Sequence, residues 1–307
     1  MKLLNYRSGG EVRAGVFIEG SVYDVAQVRG FEHVRSVDEL LSAGMLQTLE
    51  EREGELSEGT EFKKVSLLPP VMQPDKILLA AVNYKAHGKE QGAPLPREPY
   101  FFTKFRSCMV ADGEPILIPR VSAKGDYEVE MALVIGKKGK YIGRDKTMEH
   151  LAGYTVANDI SFRDLQFPEG WPERPNTLGQ NWVKGKALDS ALPLGPWLVT
   201  KSEVEDPQDL RLTLKVNGSI RQDGTTSDMV FGVDRLVEYL SDGMTLLPGD
   251  VISTGTPAGV AVFSGAPFLK DGDVVEASVE GVGRLKNPVG EEKLNLEHFK
   301  TSSVVGQ

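Results

Sequence analysis

The segment GDYEVEMALVIG, Gly125 to Gly136, constrains the fold of this chain more than any other. Read as a strand, it places Glu128 and Glu130 on one face, and Tyr127, Val129, Met131, Leu133 and Ile135 on the other. The acid-bearing face continues as Ala132, Val134 and Gly136, so both faces are apolar along much of their length, as in a strand covered on two sides. An amphipathic strand with a solvated acidic side is the plainer alternative. If the strand is covered, two carboxylates inside it need something to hold.

The rest of the chain supplies short strands punctuated by Gly, Pro and Asn. EVRAGVFIEGSVYDVAQV alternates around Gly20-Ser21 and predicts a hairpin. SVDELLSAGMLQTLEERE has a Ser36 N-cap, acids in its first turn and apolar residues at Leu40, Leu41, Leu46 and Leu49, and predicts a helix. Pro69-Pro70 and Pro74 then mark a boundary, giving a small N-terminal α+β domain at 1–70 and a main domain at 71–307. Within the main domain, Asn217-Gly218 is a turn dipeptide, and Val233, Leu236, Val237 and Leu240 form one helical face stopped by Gly243. No strand-helix alternation or fixed-period repeat occurs, so the expected class is β-rich α+β.

Composition removes several classes of function. Lys plus Arg total 35 against 44 Asp plus Glu, a net charge of -9, which leaves no basic field for nucleic acid or anionic membrane. The N-terminal residues carry no secretory pattern, and no run approaches the ~20 apolar residues that span a bilayer, so a cytoplasmic protein is expected. Cys108, the single cysteine, excludes an intrachain disulfide and reads as a buried free thiol. P-loop, G-x-G-x-x-G after a strand, G-x-S-x-G and H-E-x-x-H patterns are all missing. With four scattered histidines and one cysteine, a metal would sit on oxygen.

Three stretches then offer chemistry. In AGYTVANDISFRDLQF a strand ends at Asn158-Asp159, with Ser161 placed to cap a short helical turn. Three carboxylates from two strands, Glu128, Glu130 and Asp159, suit Mg²⁺ or Mn²⁺, which take octahedral oxygen ligands and keep waters that a substrate displaces. Asp159 also has a purely local reading, since Asn-Asp pairs make turns through their own side chains. Arg163 and Gln166 come next on one side of the turn, where an arginine would meet a substrate carboxylate bidentately or simply pair with Asp164. In NYKAHGKEQG, His87 and Glu90 have the i, i+3 spacing of a helical pair: a general base oriented by a carboxylate, or a surface contact. Gly88 and Gly92 would loosen that helix, as a mobile lid requires.

Taken together, NYKAHGKE, YFFTKF, DYEVEMALVIG, GYTVANDISFRDLQ, KGKALDSALPLGPW and LLPGDVISTGTPAGV resemble the fumarylacetoacetate hydrolase family, in the family's order, from about Asp75 to about Val289. The resemblance implies a mixed β-sandwich roll, bound Mg²⁺ or Mn²⁺, homodimerisation, and cleavage or rearrangement of small-molecule 2-oxo and diketo acids. It implies metal ligands at Glu128, Glu130 and Asp159, a water-activating pair at His87 and Glu90, and substrate contacts at Arg163, Gln166 and Thr256. It also implies a site lysine at Lys186, with Lys184 two residues away. The family often has glycine shortly before Asn-Tyr, where this chain has Ala80, Ala81 and Val82. Phe167 to Trp182 is expected to shape the pocket. The function expected is metal-dependent C–C hydrolysis of an acylpyruvate, with isomerisation of a 2-hydroxy-diene dioate or decarboxylation of an oxaloacetate-like diacid as alternatives. A non-catalytic 2-oxo acid sensor is a minor one.

Overall fold

The computed structural model describes residues 1–92, 94–167 and 180–293. A twelve-stranded sheet runs from β4 (Gly59–Glu61) through β3 (Ser21–Asp24), β2 (Glu11–Ile18) and β1 (Lys2–Ser8) to β14 (Leu192–Thr200) and β12 (Leu151–Asn158). It continues through β11 (Val129–Ile135), β17 (Val251–Ser253), β6 (Ile77–Ala81) and β7 (Tyr100–Thr103). β5 (Ser66–Leu68) pairs with β1, and β8 (Met109–Val110) with β14. A second sheet has the order β16 (Ser219–Thr225), β15 (Arg211–Val216), β18 (Val274–Val279), β19 (Gly283–Glu291) and β9 (Ile116–Ile118). Three pairs are parallel, β17 with β6, β14 with β8 and β19 with β9, so both sheets are mixed. The two open sheets pack through β11, β12 and β14 against β15, β18 and β19. The β-rich α+β class and the mixed roll expected of the sequence are what the chain adopts.

Every residue of β11 and β12 is buried, which is why their sequences lack a polar stripe. The segment Gly125–Gly136 is not one strand, however. β10 (Gly125–Asp126) pairs with β13 (Ser161–Phe162), while β11 begins at Val129 and pairs with β12. Between them the backbone is held by Asp159 N–H donating to Glu128 O at 2.8 Å and by Glu128 N–H donating to Asn158 Oδ1 at 3.0 Å. Ser161 accordingly lies in β13 and caps no helix; the turn Arg163–Gln166 starts after Phe162.

The hairpin forms with Glu19 and Gly20 at φ 45° and 87°, so the turn sits one residue earlier than Gly20-Ser21. The run after Ser36 is two helices, Val37–Ser42 and Leu46–Glu51, separated where Gly44 takes φ 67°. Ser36 does cap the first, accepting from Glu39 N–H at 3.1 Å. The helix Val233–Ser241 buries Val233, Leu236, Val237 and Leu240 as its pattern predicts. Residues 1–70 share both sheet and core with the rest of the chain, since β1 pairs with β14 and Leu3, Leu40 and Leu41 belong to one apolar cluster with Leu133 and Val199. No helix among the described residues is long and apolar enough to cross a membrane.

Gly153 lies where β12 pairs with β14, opposite Thr200, and a Cβ there would meet Val199 O at 1.8 Å. Backbone cannot yield as a flexible side chain can, so Gly153→Ala should cost about 3 kcal/mol, the upper part of the overpacking range. Urea unfolding measures this, and a loss below about 1 kcal/mol, the bottom of that range, would show that the two strands have room to separate.

Candidate metal centre

The split between β10 and β11 turns Glu128 and Glu130 toward the end of β12, where Asp159 comes directly after Asn158. One oxygen from each of the three carboxylates lies within 4.8 Å of the others, and all three residues are buried. Buried carboxylates persist only with partners, and these have several. Lys186 Nζ donates to Glu128 Oε2 and Asp159 Oδ2, both at 2.7 Å. Arg163 Nη2 donates to Glu128 Oε1 at 2.5 Å, and its Nε to Asp126 Oδ2 at 2.8 Å. Lys104, wholly buried, donates to Ile160 O at 2.9 Å and Ala191 O at 2.7 Å. Its ammonium also lies 2.8 Å from Asp159 Oδ1 in a buried ion pair.

Glu130 differs from its neighbours. Its Oε2 accepts only from neutral groups, Ser253 Oγ–H and, at 3.0 Å, Gly255 N–H. Among the described residues, four buried carboxylates, Asp126, Glu128, Glu130 and Asp159, thus share three cations, Lys104, Arg163 and Lys186, and the one left without a cation is Glu130. This imbalance sets the proton affinities. Burial, then the charges of Asp159 and Glu128, push the Glu130 carboxyl well above the usual range. Burial acts the same way on Glu128, but Lys186 and Arg163 outweigh it and hold that carboxyl low. Burial opposes the charge of Lys186 too, yet Asp159 and Glu128 raise it. An all-oxygen donor set in which one carboxyl, Glu130, has no cation partner among the described residues fits a divalent cation of the Mg²⁺ or Mn²⁺ type.

Facing the acids is the helix Lys85–Glu90. Asn83 anchors its entry, donating through Nδ2 to Thr254 O at 2.9 Å and Phe231 O at 3.1 Å and accepting from Phe231 N–H at 2.9 Å. Val82, just before, takes φ 54°, a left-handed backbone that a β-branched residue adopts at a cost and glycine adopts freely. This is the place where the sequence has no glycine. His87 Nδ1 lies 2.7 Å from Glu90 Oε1, and Glu90 Oε2 accepts from Gly259 N–H at 2.9 Å, so a buried imidazole and a half-buried carboxylate are tied into the fold rather than paired on the open surface.

His87, Glu128, Glu130, Arg163, Gln166, Lys186 and Thr256 all line one cavity of about 160 Å³. Its apolar wall includes Phe102 and Trp182, stacked with centroids 4.6 Å apart, and Lys186 Nζ lies 4.9 Å from the Phe102 ring. Lys186 is therefore the lysine of this site; Lys184 is exposed. A more open hollow of about 1020 Å³ lies elsewhere, lined largely by exposed acids around Glu203–Asp209, and none of the expected site residues faces it.

Two expected substrate contacts are already engaged. Arg163 donates to Asp126, Glu128 and, at 2.9 Å, Gln166 Oε1, so its bidentate edge holds the protein's own acids. Its alternative partner, Asp164, instead accepts from Ser122 and Ala123. The Thr256 hydroxyl donates to Val129 O at 2.9 Å and accepts from Gln222 Nε2 at 2.8 Å. Residues 168–179 of the expected pocket segment lie outside the described residues, while Phe167, Gln180 and Trp182 do line the cavity.

Sequence reasoning missed Asp126, Lys104 and Gln222. Asp126 had a signal: it continues the alternation of Glu128 and Glu130, and it also accepts from Ala261 N–H at 2.8 Å and Val262 N–H at 3.1 Å. Lys104 and Gln222 had none, because nothing local says that a lysine after an apolar strand, or a glutamine in an exposed-looking hairpin, will be buried.

A mixed roll carrying this acidic centre opposite a His-Glu pair defines a class, and comparison gives it a name. Residues 76–290 match the fumarylacetoacetate (FAA) hydrolase C-terminal family model, and the chain belongs to that family. It is 42% identical over 271 residues to the human oxaloacetate tautomerase FAHD2A, mitochondrial, covering 85% of this chain and 84% of that protein. Among solved structures, the fumarylacetoacetate hydrolase of psychrophilic Exiguobacterium antarcticum superposes with a TM-score of 0.79 at 33% identity, over 95% of this chain and all (100%) of that one. Maleylpyruvate hydrolase from Sphingobium sp. SYK-6, solved in complex with manganese (II) ion and pyruvate, gives a TM-score of 0.76 at 28% identity with coverage of 95% and 100%.

Glu130 supplies a test that needs no substrate. Because the folded state keeps a proton there that the unfolded chain releases, metal-free stability falls as pH rises from the ordinary carboxyl range toward the raised folded value. Glu130→Gln should remove that fall and stabilise the metal-free protein at pH 7 by about 1–3 kcal/mol, the cost of an uncompensated buried group. The same variant should lose the rise in Tm that Mg²⁺ or Mn²⁺ gives the native chain. Thermal unfolding with and without chelator reads both effects, and an undiminished metal-induced rise would remove Glu130 from the ligand set.

Proposed function

We propose that this chain is a divalent-metal-dependent enzyme that interconverts the keto and enol forms of a small 2-oxo diacid of the oxaloacetate type. The observation that carries the reading is that Glu128 and Glu130, clustered with Asp159 behind them, share one small cavity with His87, which Glu90 holds from outside the lining. Similarity to proteins named oxaloacetate tautomerases supports it.

Glu128, Glu130 and Asp159 would hold Mg²⁺ or Mn²⁺, which when bound supplies Lewis-acid polarisation of a substrate carbonyl. The chain's own residues provide the rest. Glu90 accepts from His87 Nδ1–H, which leaves the Nε2 lone pair as the base. His87 takes a proton from the carbon next to the 2-oxo group and returns it to the carbonyl oxygen, so the proton count is unchanged. Glu90 stabilises the transient imidazolium. Lys186 places positive charge where negative charge develops on the substrate. Asp126 and Gln166 hold Arg163 in line behind Glu128, and Phe102 and Trp182 keep water from that side.

Hydrolysis of an acylpyruvate is the second reading, favoured by the same dyad, which could act on water, and by likeness to a maleylpyruvate hydrolase. Homodimerisation and a cytoplasmic location remain part of the overall proposal, carried from the sequence.

The deciding assay follows decay of enol-oxaloacetate with Mg²⁺ or Mn²⁺ present. Native protein should exceed the metal-only background, and His87→Ala should lower the rate by about 10²–10⁴-fold, the span of general acid-base catalysis, while retaining the metal-induced rise in Tm. Rates at background for the native chain, or native rates in His87→Ala, would overturn the proposal.

A further inference from the structure

The helix that carries the His87–Glu90 pair ends on its C-cap, Gln91, which completes a chain of three side chains. Its carboxamide nitrogen contacts His87 Nε2, while Glu90 Oε1 is bonded at Nδ1 on the opposite edge of the ring. In the neutral ring, the form that can act as a base, the order of roles follows from chemistry. A carboxylate accepts and cannot donate, so Nδ1 carries the proton and Nε2 is the lone pair. A lone pair requires a donor, so the NH₂ side of the Gln91 amide faces it; the flipped amide would set oxygen against lone pair. The i, i+4 spacing on one helical face makes the contact local. Gln91 is half-buried, lines the cavity, and donates its backbone N–H to His87 O at 3.2 Å, which ties its position to that of the imidazole.

We propose that Gln91 is a positioning residue that selects the reaction: its amide occupies His87 Nε2 so that water does not, which holds the site to proton transfer and suppresses hydrolysis. This rests on the reading of His87 as the proton-transfer group. The two reactions place different demands on Nε2. In hydrolysis a water must hydrogen-bond to Nε2 while its oxygen adds to the distal carbonyl carbon of a 2,4-dioxo acid. One water proton passes to Nε2, the bond between that carbon and C3 breaks, and its electron pair stays on C3. C3 then takes the proton back, giving a carboxylic acid and pyruvate, so atoms and charge balance. In keto–enol exchange no water takes part, and the C3–H of the bound substrate must reach Nε2.

An amide in place competes unequally with these two visitors. Water brings little binding energy and needs two or more polar partners to be held, and the one it must have is taken. A 2-oxo acid is anchored by its own charge at the Lys186 end of the cavity, and that binding energy can turn the flexible Gln91 side chain aside. The carboxamide is therefore a filter between solvent and substrate at a single nitrogen.

The test compares the native chain, Gln91→Leu and Gln91→Asn, each with Mn²⁺. Leu keeps the bulk without a donor; Asn keeps the amide but is one methylene too short. Both reactions are followed, enol-oxaloacetate decay and cleavage of 2,4-dioxopentanoate to acetate and pyruvate. The ratio of cleavage to tautomerisation should rise at least tenfold in both variants. In parallel, ¹⁵N resonances of the imidazoles in metal-free protein should show His87 Nε2 moving, in both variants, toward the position of an unbonded nitrogen. An unmoved resonance or an unmoved ratio overturns the inference. Should the native chain lack tautomerase activity, only the tautomerase reading falls, because the resonance and the cleavage rate of the variants still report whether the amide caps the ring and excludes water. If Gln91→Leu does not fold, Gln91→Asn alone decides.

Discussion

The structure depends on burying four carboxylates at one junction of strands where the described residues bring three cations to balance them. Asp126 and Glu128 are held by Arg163, Glu128 and Asp159 share Lys186, and Asp159 also faces Lys104. Each cation reaches the junction from a different part of the chain: Lys104 after β7, Arg163 after β13, and Lys186 from the helix Trp182–Lys186. Removing any one of them would strand a buried charge, a far larger penalty than losing a surface pair. Glu130, the carboxyl without a cation partner among the described residues, is the one whose proton a divalent ion would replace.

That junction exists because one apparent strand is two. Continuous pairing through Gly125–Ile135 would have kept Glu128 and Glu130 in strict alternation on a flat surface, with Asp159 beside the ladder. Breaking the ladder at Tyr127-Glu128, and bonding Glu128 and Asp159 through their backbones, lets acids from two strands converge. The surrounding mixed sheet supplies rigidity: β11 and β12 are covered on both faces, so the acids are displayed by elements that cannot relax toward water.

Much of this was legible in the sequence, for identifiable reasons. Glu128 and Glu130 stood out because charge on a doubly apolar strand is costly, and His87 with Glu90 because helical spacing places them together. The helix at Val233–Ser241 and the turn at Asn217-Gly218 were legible because local propensity and tertiary packing agree there. The sequence was less informative where long-range structure decides. Gly44 splitting a helix, Ser161 entering a strand, and Arg163 turning inward to Asp126 all depend on what lies opposite, and Lys104 is buried by carbonyls at Ile160 and Ala191 that no local pattern announces. The joining of the first seventy residues to the main sheet belongs to the same category.

That joining has a consequence for how the molecule is made. β1 finds its neighbour in β14, and the amino group of Met1 reaches Thr200, 199 positions away. During synthesis β5 can close the Asn5–Arg7 part of the β1 edge early, but the Lys2–Leu3 end waits for β14. Contacts so distant in sequence slow folding, and an open edge in the interval invites pairing with a neighbouring nascent chain. The growing polypeptide thus carries an unpaired strand end until β14 has left the ribosome, and a chaperone that covers it would act in that interval.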